Sequence, residues 1–317
     1  MFSGRSVSAY GAGFKRKQIL RKVLLATVLI IILALLPVIY IKFRERGGNE
    51  RRELRELFEA GSFEAAYTRS GELLGEKPLD TFILSIHGFS ACQLAIAQIN
   101  SINTLSYVDD CIWSLRKALL FRESSSDGRI YYVLGKAYYY KGSGYADLAV
   151  LYLEKARTAL YKAADIPEYL GLAYAAIGDY RSSVAAFTMA LGEMSGAETG
   201  FDPSDVLLLS IARSYYALDE YESARAYLIR CLEISRDSRN ITTARMLLGS
   251  ILAKIGDIAG AEAEYNKILE ENSENAEAHF QLGELYFLAG ETIRARAEWR
   301  RALRINPAHG EARSRLN

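Results

Sequence analysis

The residues best able to do chemistry in this 317-residue chain are few and scattered. The three histidines, His87, His279 and His309, lie in different parts of the sequence. No HExxH, GxSxG, phosphate-loop or dinucleotide-binding motif accompanies them. A catalytic base or a metal ligand needs partners at a defined geometry, and the sequence places none beside these histidines. We therefore expect no catalytic residues, no bound metal and no cofactor, and we predict that the protein is not an enzyme.

The cysteines and one acidic pair likewise give no indication of catalysis or metal binding. Cys92, Cys111 and Cys231 are odd in number and show no CxxC spacing. Cysteines at apolar positions of helices are typical of buried, unreactive thiols, so a disulfide framework is not expected. A single bridge between Cys92 and Cys111 remains an open alternative. The pair Asp109-Asp110 is interpreted as a helix cap, because a metal site would need further ligands that the sequence does not offer.

The strongest regularity in the chain is a 34-residue period in its last third. Two copies are in phase at Leu248-Gly249 and Leu282-Gly283, and again at Gly256-Asp257 and Gly290-Glu291. Apolar residues spaced three and four apart on both sides of the second glycine predict two amphipathic helices joined by a short turn. Gly283 and Ala295 are expected where these helices cross, because larger side chains would force the backbones apart. Such a period is typical of a stacked array of helical hairpins.

The unit resembles the tetratricopeptide repeat, a helical hairpin of the same length. Residues 276–307 match the family pattern at His279, Leu282, Gly283, Tyr286, Ala295, Trp299 and Pro307, with His279 in the place of the tryptophan. Residues 128–309 contain five such units, and residues 43–127 contain a linker and two irregular ones. The resemblance implies an all-α fold, a right-handed superhelix of about seven hairpins. Residues 310–317 are interpreted as a short frayed cap; the alternative is that this end meets a partner or a second copy of the chain.

A different pattern precedes the repeats. Residues 23–41 contain no charged side chain. As a helix these nineteen residues would span roughly 28 Å, about the thickness of a hydrocarbon core. A buried core helix would show a polar face, and a cleaved signal peptide would be shorter and end in a small-x-small site. We therefore predict an uncleaved transmembrane anchor within residues 19–42, preceded by a basic tail at residues 1–18.

The orientation of this anchor depends on its flanking charges. Six lysines and arginines lie shortly before the span and six shortly after it, but only the first group is free of acidic residues. This undiluted cluster favours the N-terminus inside, which would place the repeats in a bacterial periplasm, held at the inner membrane. The whole chain has 39 Lys and Arg against 38 Asp and Glu, so no bulk charge indicates a nucleic-acid partner.

The family resemblance also implies where a partner binds. Ligands of such repeats lie on the concave face formed by the first helix of each hairpin. Here that face would contain aromatic and charged side chains at Tyr132, Lys136, Tyr139, Tyr140, Leu209, Arg213, Tyr216, Met246, Phe280, Glu284 and Phe287. The alternative is that many of the tyrosines only fill gaps between hairpins. The asparagines of a chaperone-tail clamp are missing beside Lys136 and Arg213, which disfavours that ligand.

These patterns together predict a single-pass membrane protein whose repeats bind other proteins. We expect a scaffold or adaptor in the assembly of a bacterial envelope complex, such as a secretion system, a pilus, an envelope-biogenesis machine or a flagellar motor. The alternative is a receptor or cochaperone that binds extended client segments at a membrane. Self-association, or incorporation into a larger assembly, is left open by the sequence.

Overall fold

A computed structural model describes the protein at residues 47–98, 103–121, 127–196 and 203–317. Within these ranges the chain forms fifteen α-helices, one short 3₁₀ turn at Ser143–Tyr145 and no strand. Each helix packs chiefly on the helix before it and the helix after it. This neighbour-to-neighbour packing defines a solenoid, so the predicted all-α array is confirmed for the described part of the chain.

The helices of this region pair as seven hairpins, and a short helix follows them. The pairs are α1 (47–59) with α2 (Phe63–Glu76), α3 (Thr81–Ala97) with α4 (Thr104–Leu120), α5 (Gly128–Lys141) with α6 (Ala146–Thr158), α7 (Ile166–Ala176) with α8 (Tyr180–Gly196), α9 (Asp205–Ala217) with α10 (Tyr221–Ile234), α11 (Ser238–Lys254) with α12 (Ile258–Glu271), and α13 (Ala276–Leu288) with α14 (Thr292–Ile305). The last helix is α15 (Gly310–Leu316). Buried apolar side chains lie between successive helices along the whole array.

The turns inside the hairpins explain the second recurring glycine of the period. Gly256 and Gly290 end α11 and α13 with φ of 86° and 81°, a left-handed conformation that favours glycine. Asp257 then accepts the backbone N–H of Gly260 at 2.9 Å and caps α12. In the α9/α10 turn the left-handed position is occupied by Asp219, with φ of 59°. An aspartate tolerates this conformation better than most residues, so the hairpin forms without the expected glycine.

A second set of glycines lies where the two helices of a hairpin cross. A Cβ atom added to Gly283 would lie 2.4 Å from Cδ1 of Trp299 and 3.1 Å from the carbonyl oxygen of Ala295. At Gly249 the added atom would lie 2.5 Å from Cε1 of Tyr265. These distances are shorter than van der Waals contact, so the first helix must carry glycine where the second carries a large ring. The predicted packing reason for the recurring glycine is therefore confirmed.

The C-terminal segment is more ordered than a frayed cap. Residues Gly310–Leu316 form α15, whose Ala312 is fully buried. His309 caps the N-terminus of this helix, because its Nδ1 accepts the backbone N–H of Ala312 at 3.3 Å. Arg315 then reaches back to α13 and donates from Nε to Glu284 at 2.8 Å. The expectation of a frayed end was wrong, because these side-chain contacts to the last hairpin could not be read from the length of the segment.

The cysteines are free, buried thiols, as the sequence predicted. Cys92 on α3 and Cys111 on α4 contact each other through a side-chain hydrogen bond, and the bridge left open between them is not formed. Burial raises the pKa of Cys111 well above its ordinary value. The thiol of Cys231 donates to the carbonyl oxygen of Asp205 at 3.4 Å, and burial raises its pKa to about 11. Cys111 and Cys231 are therefore held in the unreactive protonated form.

The predicted membrane anchor, residues 23–41, lies outside the described residues, as does the basic tail. Among the helices that are described, none is both long enough and apolar enough to cross a bilayer. The anchor therefore stays a prediction.

The close helix crossing predicts the effect of a single methyl group. Gly283→Ala should lower the free energy of unfolding by about 1–3 kcal/mol, because the new Cβ overlaps Trp299. Alanine is otherwise favoured over glycine in a helix by about 1 kcal/mol. The matched control is Gly75→Ala in α2, where no atom lies within 4 Å of the added Cβ and a small gain is expected. Urea unfolding followed by circular dichroism measures both; equal stabilisation would show that the crossing is loose.

Candidate functional site

An aromatic and charged cluster lies between the first helices of the third and fourth hairpins. On α5, Tyr132, Lys136 and Tyr140 are spaced by four residues, which places them on one face of the helix. The next first helix supplies Tyr169 on α7 and Asp165 just before it. The sequence predicted the α5 residues and missed Asp165 and Tyr169 as their partners. We call the surface formed by these five residues, with Tyr139 and Glu168, the tyrosine groove.

The one lysine of the tyrosine groove is neutralised by an ion pair within the groove. Lys136 donates from Nζ to Oδ2 of Asp165 at 2.8 Å, and the hydroxyl of Tyr132 donates to Oδ1 of the same carboxylate at 2.8 Å. The Lys136 ammonium also lies 4.5 Å from the ring centroid of Tyr169 and 5.1 Å from that of Tyr132. Lys136 is mostly buried and fully partnered. Its role is therefore to hold two aromatic rings in place, and it offers no free charge to a ligand.

The rest of the tyrosine groove is a rigid set of rings. The hydroxyl oxygens of Tyr140 and Tyr169 lie 2.6 Å apart and share a hydrogen bond. The ring of Tyr139 meets Tyr169 edge to face, with centroids 5.2 Å apart and an angle of 79° between planes. Burial raises the pKa of Tyr169 to about 12, so its hydroxyl remains protonated throughout the physiological range. These hydroxyls therefore stay hydrogen-bonding groups of constant charge.

Glu168 is the one carboxylate of the tyrosine groove with no hydrogen bond or ion pair among the described residues. Burial raises its pKa, repulsion from Asp165 adds to that effect, and Lys136 opposes it. The side chain is half-buried on α7, beside the rigid rings. A half-buried carboxylate still accepts hydrogen bonds from water, and a ligand that brings an N–H group would replace that water.

The predicted residues farther along the array do not form one surface. Leu209 and Phe280 are only 5% and 6% exposed and belong to the core between hairpins. The ring of Phe280 is covered by His309, at 4.8 Å between centroids. Glu284 is occupied by Arg315 of α15, as described above. Leu209 is thus buried in the core, and Phe280 and Glu284 already have partners from the segment of α15.

Four other predicted residues remain at least partly accessible. Arg213 is exposed on α9, and the ring of Tyr216 lies half-buried next to Tyr221, with centroids 5.9 Å apart. Met246 on α11 is half-buried against the core. Phe287 is 46% exposed, with the guanidinium of Arg315 at 5.5 Å from its centroid. The structure thus brings the α5 residues together closely and leaves the later ones dispersed.

The histidines have structural partners. Nδ1 of His279 lies 2.7 Å from Oε2 of Glu298, and both side chains are buried between α13 and α14. His87 stacks on Tyr67 with ring centroids 4.4 Å apart, and its Nδ1 lies 2.9 Å from Oγ of Ser70. Burial lowers the pKa of His87, which favours the neutral ring. The interpretation of His279 as a packing residue in the tryptophan place agrees with this geometry.

Comparisons with known proteins give the repeats a family. A model of the tetratricopeptide repeat family matches residues 209–273 and 246–310. The anaphase-promoting complex subunit CDC16 of Saccharomyces cerevisiae is 27% identical over 139 residues, which is 40% of this chain. The match covers 16% of the yeast protein, so the chain spans only a small part of that relative.

Solved structures resemble a larger part of the chain. The C-terminal part of a tetratricopeptide repeat-containing protein from Cytophaga hutchinsonii superposes with a TM-score of 0.58 at 16% identity, covering 84% of this chain and 99% of that one. PilW, a type IV pilus biogenesis factor, gives 0.55 at 16% identity, with 73% and 98% covered. At such identities the likeness shows the fold alone. Tetratricopeptide repeats are therefore found in residues 209–310, and the hairpins that precede this segment share the fold of these solved structures.

Proposed function

We propose that the protein is a membrane-anchored scaffold or adaptor that binds an extended segment of another protein in its tyrosine groove. The observation that carries the proposal is the pre-ordered cluster of Tyr139, Tyr140 and Tyr169 around the Lys136–Asp165 ion pair. Rigid aromatic side chains lose little entropy on binding and dominate the energy of many protein interfaces. The tyrosine groove therefore has the composition of a binding surface. Internal contacts already hold its side chains in place, so they lose little conformational entropy when a partner binds.

The polar groups of the tyrosine groove suit a main-chain ligand. Glu168 supplies a carboxylate acceptor without a partner, and the tyrosine hydroxyls supply groups whose charge does not change with pH near neutrality. An extended segment presents alternating N–H and C=O groups, which can use both. The apolar ring faces would then contact its side chains. This arrangement favours shape and hydrogen bonding over net charge as the basis of recognition.

The cellular setting rests on the sequence. We infer that residues 23–41 anchor the chain in a bacterial inner membrane with the repeats in the periplasm. The likeness in fold to PilW, a pilus biogenesis factor, is compatible with a role in assembling an envelope complex. A secretion system, a pilus, an envelope-biogenesis machine and a flagellar motor all fit this proposal.

The alternative function is a receptor or cochaperone for client segments at a membrane. The two functions differ in the partners that they require. A client receptor binds many isolated peptides through the tyrosine groove alone, whereas a scaffold copurifies with one fixed set of proteins and contacts them through other faces as well. Mass spectrometry of an affinity purification from solubilised membranes separates the two.

Removal of two accessible aromatic anchors tests the binding face. Tyr139→Ala combined with Tyr140→Ala should reduce crosslinked partner capture roughly tenfold or more, since each aromatic anchor at an interface is worth about 1–2 kcal/mol. The matched control replaces Tyr145 and Tyr180 by alanine, at the starts of the second helices α6 and α8, and should leave capture unchanged. Quantitative pull-down after crosslinking in cells measures the difference. Equal capture by all variants would exclude binding through this face.

Glu168 offers a test through stability. Its raised pKa means that the ionised form destabilises the folded protein. The effect is present above the folded-state pKa, and it is absent at a pH low enough for the carboxyl to be protonated in both the folded and the unfolded protein. Glu168→Gln should therefore raise the Tm at pH 7 and leave it almost unchanged below pH 4. The control, Glu233→Gln at an exposed position of α10, should show no such difference between the two conditions. A Glu168 variant with equal effects at both pH values would contradict the described environment.

The inferred orientation has its own experiment. Protease added to intact spheroplasts should degrade the repeats, because a periplasmic domain is exposed once the outer membrane is removed. Immunoblotting against a tag after Asn317 follows the loss, and a cytoplasmic protein in the same sample verifies that the spheroplasts are closed. Repeats that stay intact until detergent is added would place them on the cytoplasmic side.

A further inference from the structure

A second candidate site lies toward the N-terminal end of the described array. It is a cavity of about 610 Å³ between α1, the start of α2, α3 and the start of α5. The rings of Phe58, Phe63, Phe82 and Phe89 form its aromatic floor, and Thr81, Ser85 and Gln93 also line the cavity. The volume falls within the range of about 300–1,000 Å³ that is usual for ligand pockets. None of these residues was among the sequence-predicted site residues, because they come from the two irregular hairpins.

Two arginines line the same cavity and lie against its aromatic floor. The guanidinium carbon of Arg129 is 4.5 Å from the ring centroid of Phe89 and 5.3 Å from that of Phe58. The guanidinium carbon of Arg55 is 5.8 Å from the centroid of Phe82. Stacking of this kind occupies the face of a guanidinium and leaves the N–H groups at its edge free to donate.

These two arginines have no carboxylate partner among the described residues. Arg51, one turn before Arg55, shows the contrast: it donates to Asp80 at 2.8 Å. The acids that line the cavity do not neutralise the pair directly. Asp127 accepts the backbone N–H of Arg129 at 3.1 Å and caps α5, and Glu59 forms no ion pair within the described ranges. Two guanidinium groups are thus held on an apolar floor with their donors available.

The surrounding backbone adds positive potential to the cavity. The N-termini of α3 and α5 both open on it, at Thr81 and at Asp127. A helix N-terminus favours negative charge, an effect limited to the first turn and partly met here by the capping carboxylates. Planar carboxylates match the edge of a guanidinium with two parallel hydrogen bonds. The phenylalanine floor in turn favours a large apolar side chain.

We propose that this cavity binds an acidic segment of a partner protein in which a carboxylate stands beside a large apolar side chain. The carboxylate pairs with Arg129 and Arg55, and the apolar side chain packs on Phe58, Phe82 and Phe89. The inference rests on the proposed function, because it requires that the protein binds a segment of another protein. Arg129 lies on the same helix as the tyrosine groove, one turn before Tyr132. The inference adds a chemical class of ligand that the tyrosine groove, with its internally paired charges, does not select.

The experiment selects random dodecapeptides displayed on phage against the full-length protein. The wild type should enrich peptides with aspartate or glutamate beside phenylalanine, leucine or tryptophan. The best peptide is then synthesised with a fluorescent label, together with a copy in which every acid is replaced by its amide. Fluorescence anisotropy should show about tenfold or greater loss of affinity for the amide copy, since it lacks the charge-assisted hydrogen bonds. This comparison uses the unaltered protein and does not depend on the folding of a variant.

Matched variants locate the binding. Arg55→Gln with Arg129→Gln should weaken the acidic peptide by about tenfold or more, whereas Arg296→Gln with Arg300→Gln, two exposed arginines on α14, should leave it unchanged. Thermal melts verify that each variant folds. The proposal is overturned if selection yields no acidic motif, if the amide copy binds equally well, or if the α14 variant loses as much affinity.

The same peptide separates this inference from the proposed function. The Tyr139→Ala and Tyr140→Ala variant should still bind the acidic peptide, because neither tyrosine lines the cavity. Arginine-dependent peptide binding together with unchanged partner capture by the tyrosine variant would exclude the groove and support the cavity. Loss of partner capture by the tyrosine variant, with peptide binding that does not depend on the arginines, would support the tyrosine groove and overturn the cavity proposal.

Discussion

The close approach of two helices at a glycine is the contact on which the whole array depends. In three hairpins a glycine of the first helix receives an aromatic ring from the second: Gly171 with Phe187, Gly249 with Tyr265 and Gly283 with Trp299. The pair sets the distance between the helices, and with it the direction in which the rest of the first helix faces. Tyr132, Lys136 and Tyr140 share one face because they are four residues apart, and Gly135 on the same helix is turned toward Leu153 of the partner helix.

Most features within one hairpin could be predicted from the sequence, although Asp109 and Asp110, interpreted as a cap, lie inside α4. The crossing glycines and the left-handed turn glycines recur at fixed spacing, so their pattern alone is enough to define the repeats. Contacts between hairpins were harder to foresee. Phe280 is covered by His309, and Lys136 pairs with Asp165, because each lies next to a residue about thirty positions later. The aromatic cavity was missed for the same reason, since it combines side chains of the two irregular hairpins with Arg129 of α5.

The residues that are chemically most versatile in this chain are used for packing. His279 replaces a tryptophan of the repeat pattern and keeps its place by contacting Glu298, which also accepts a hydrogen bond from Arg301 at 2.5 Å. His87 lies flat on Tyr67, and Cys92 contacts Cys111 inside the second hairpin. Each of these histidines and cysteines has a partner side chain, which lowers the cost of burying it. In the proposed function, aromatic rings and arginines at the surface are the groups that contact another protein.

Helix α5 belongs to both candidate binding surfaces. Its first turn carries Arg129 at the phenylalanine cavity, and the next two turns carry Tyr132, Lys136 and Tyr140 in the tyrosine groove. Arg129 and Tyr132 are three residues apart, so they lie about 4.5 Å from each other along the axis of α5. Ligands of the two surfaces would therefore lie side by side on one helix, and one segment that continues past Arg129 would meet both.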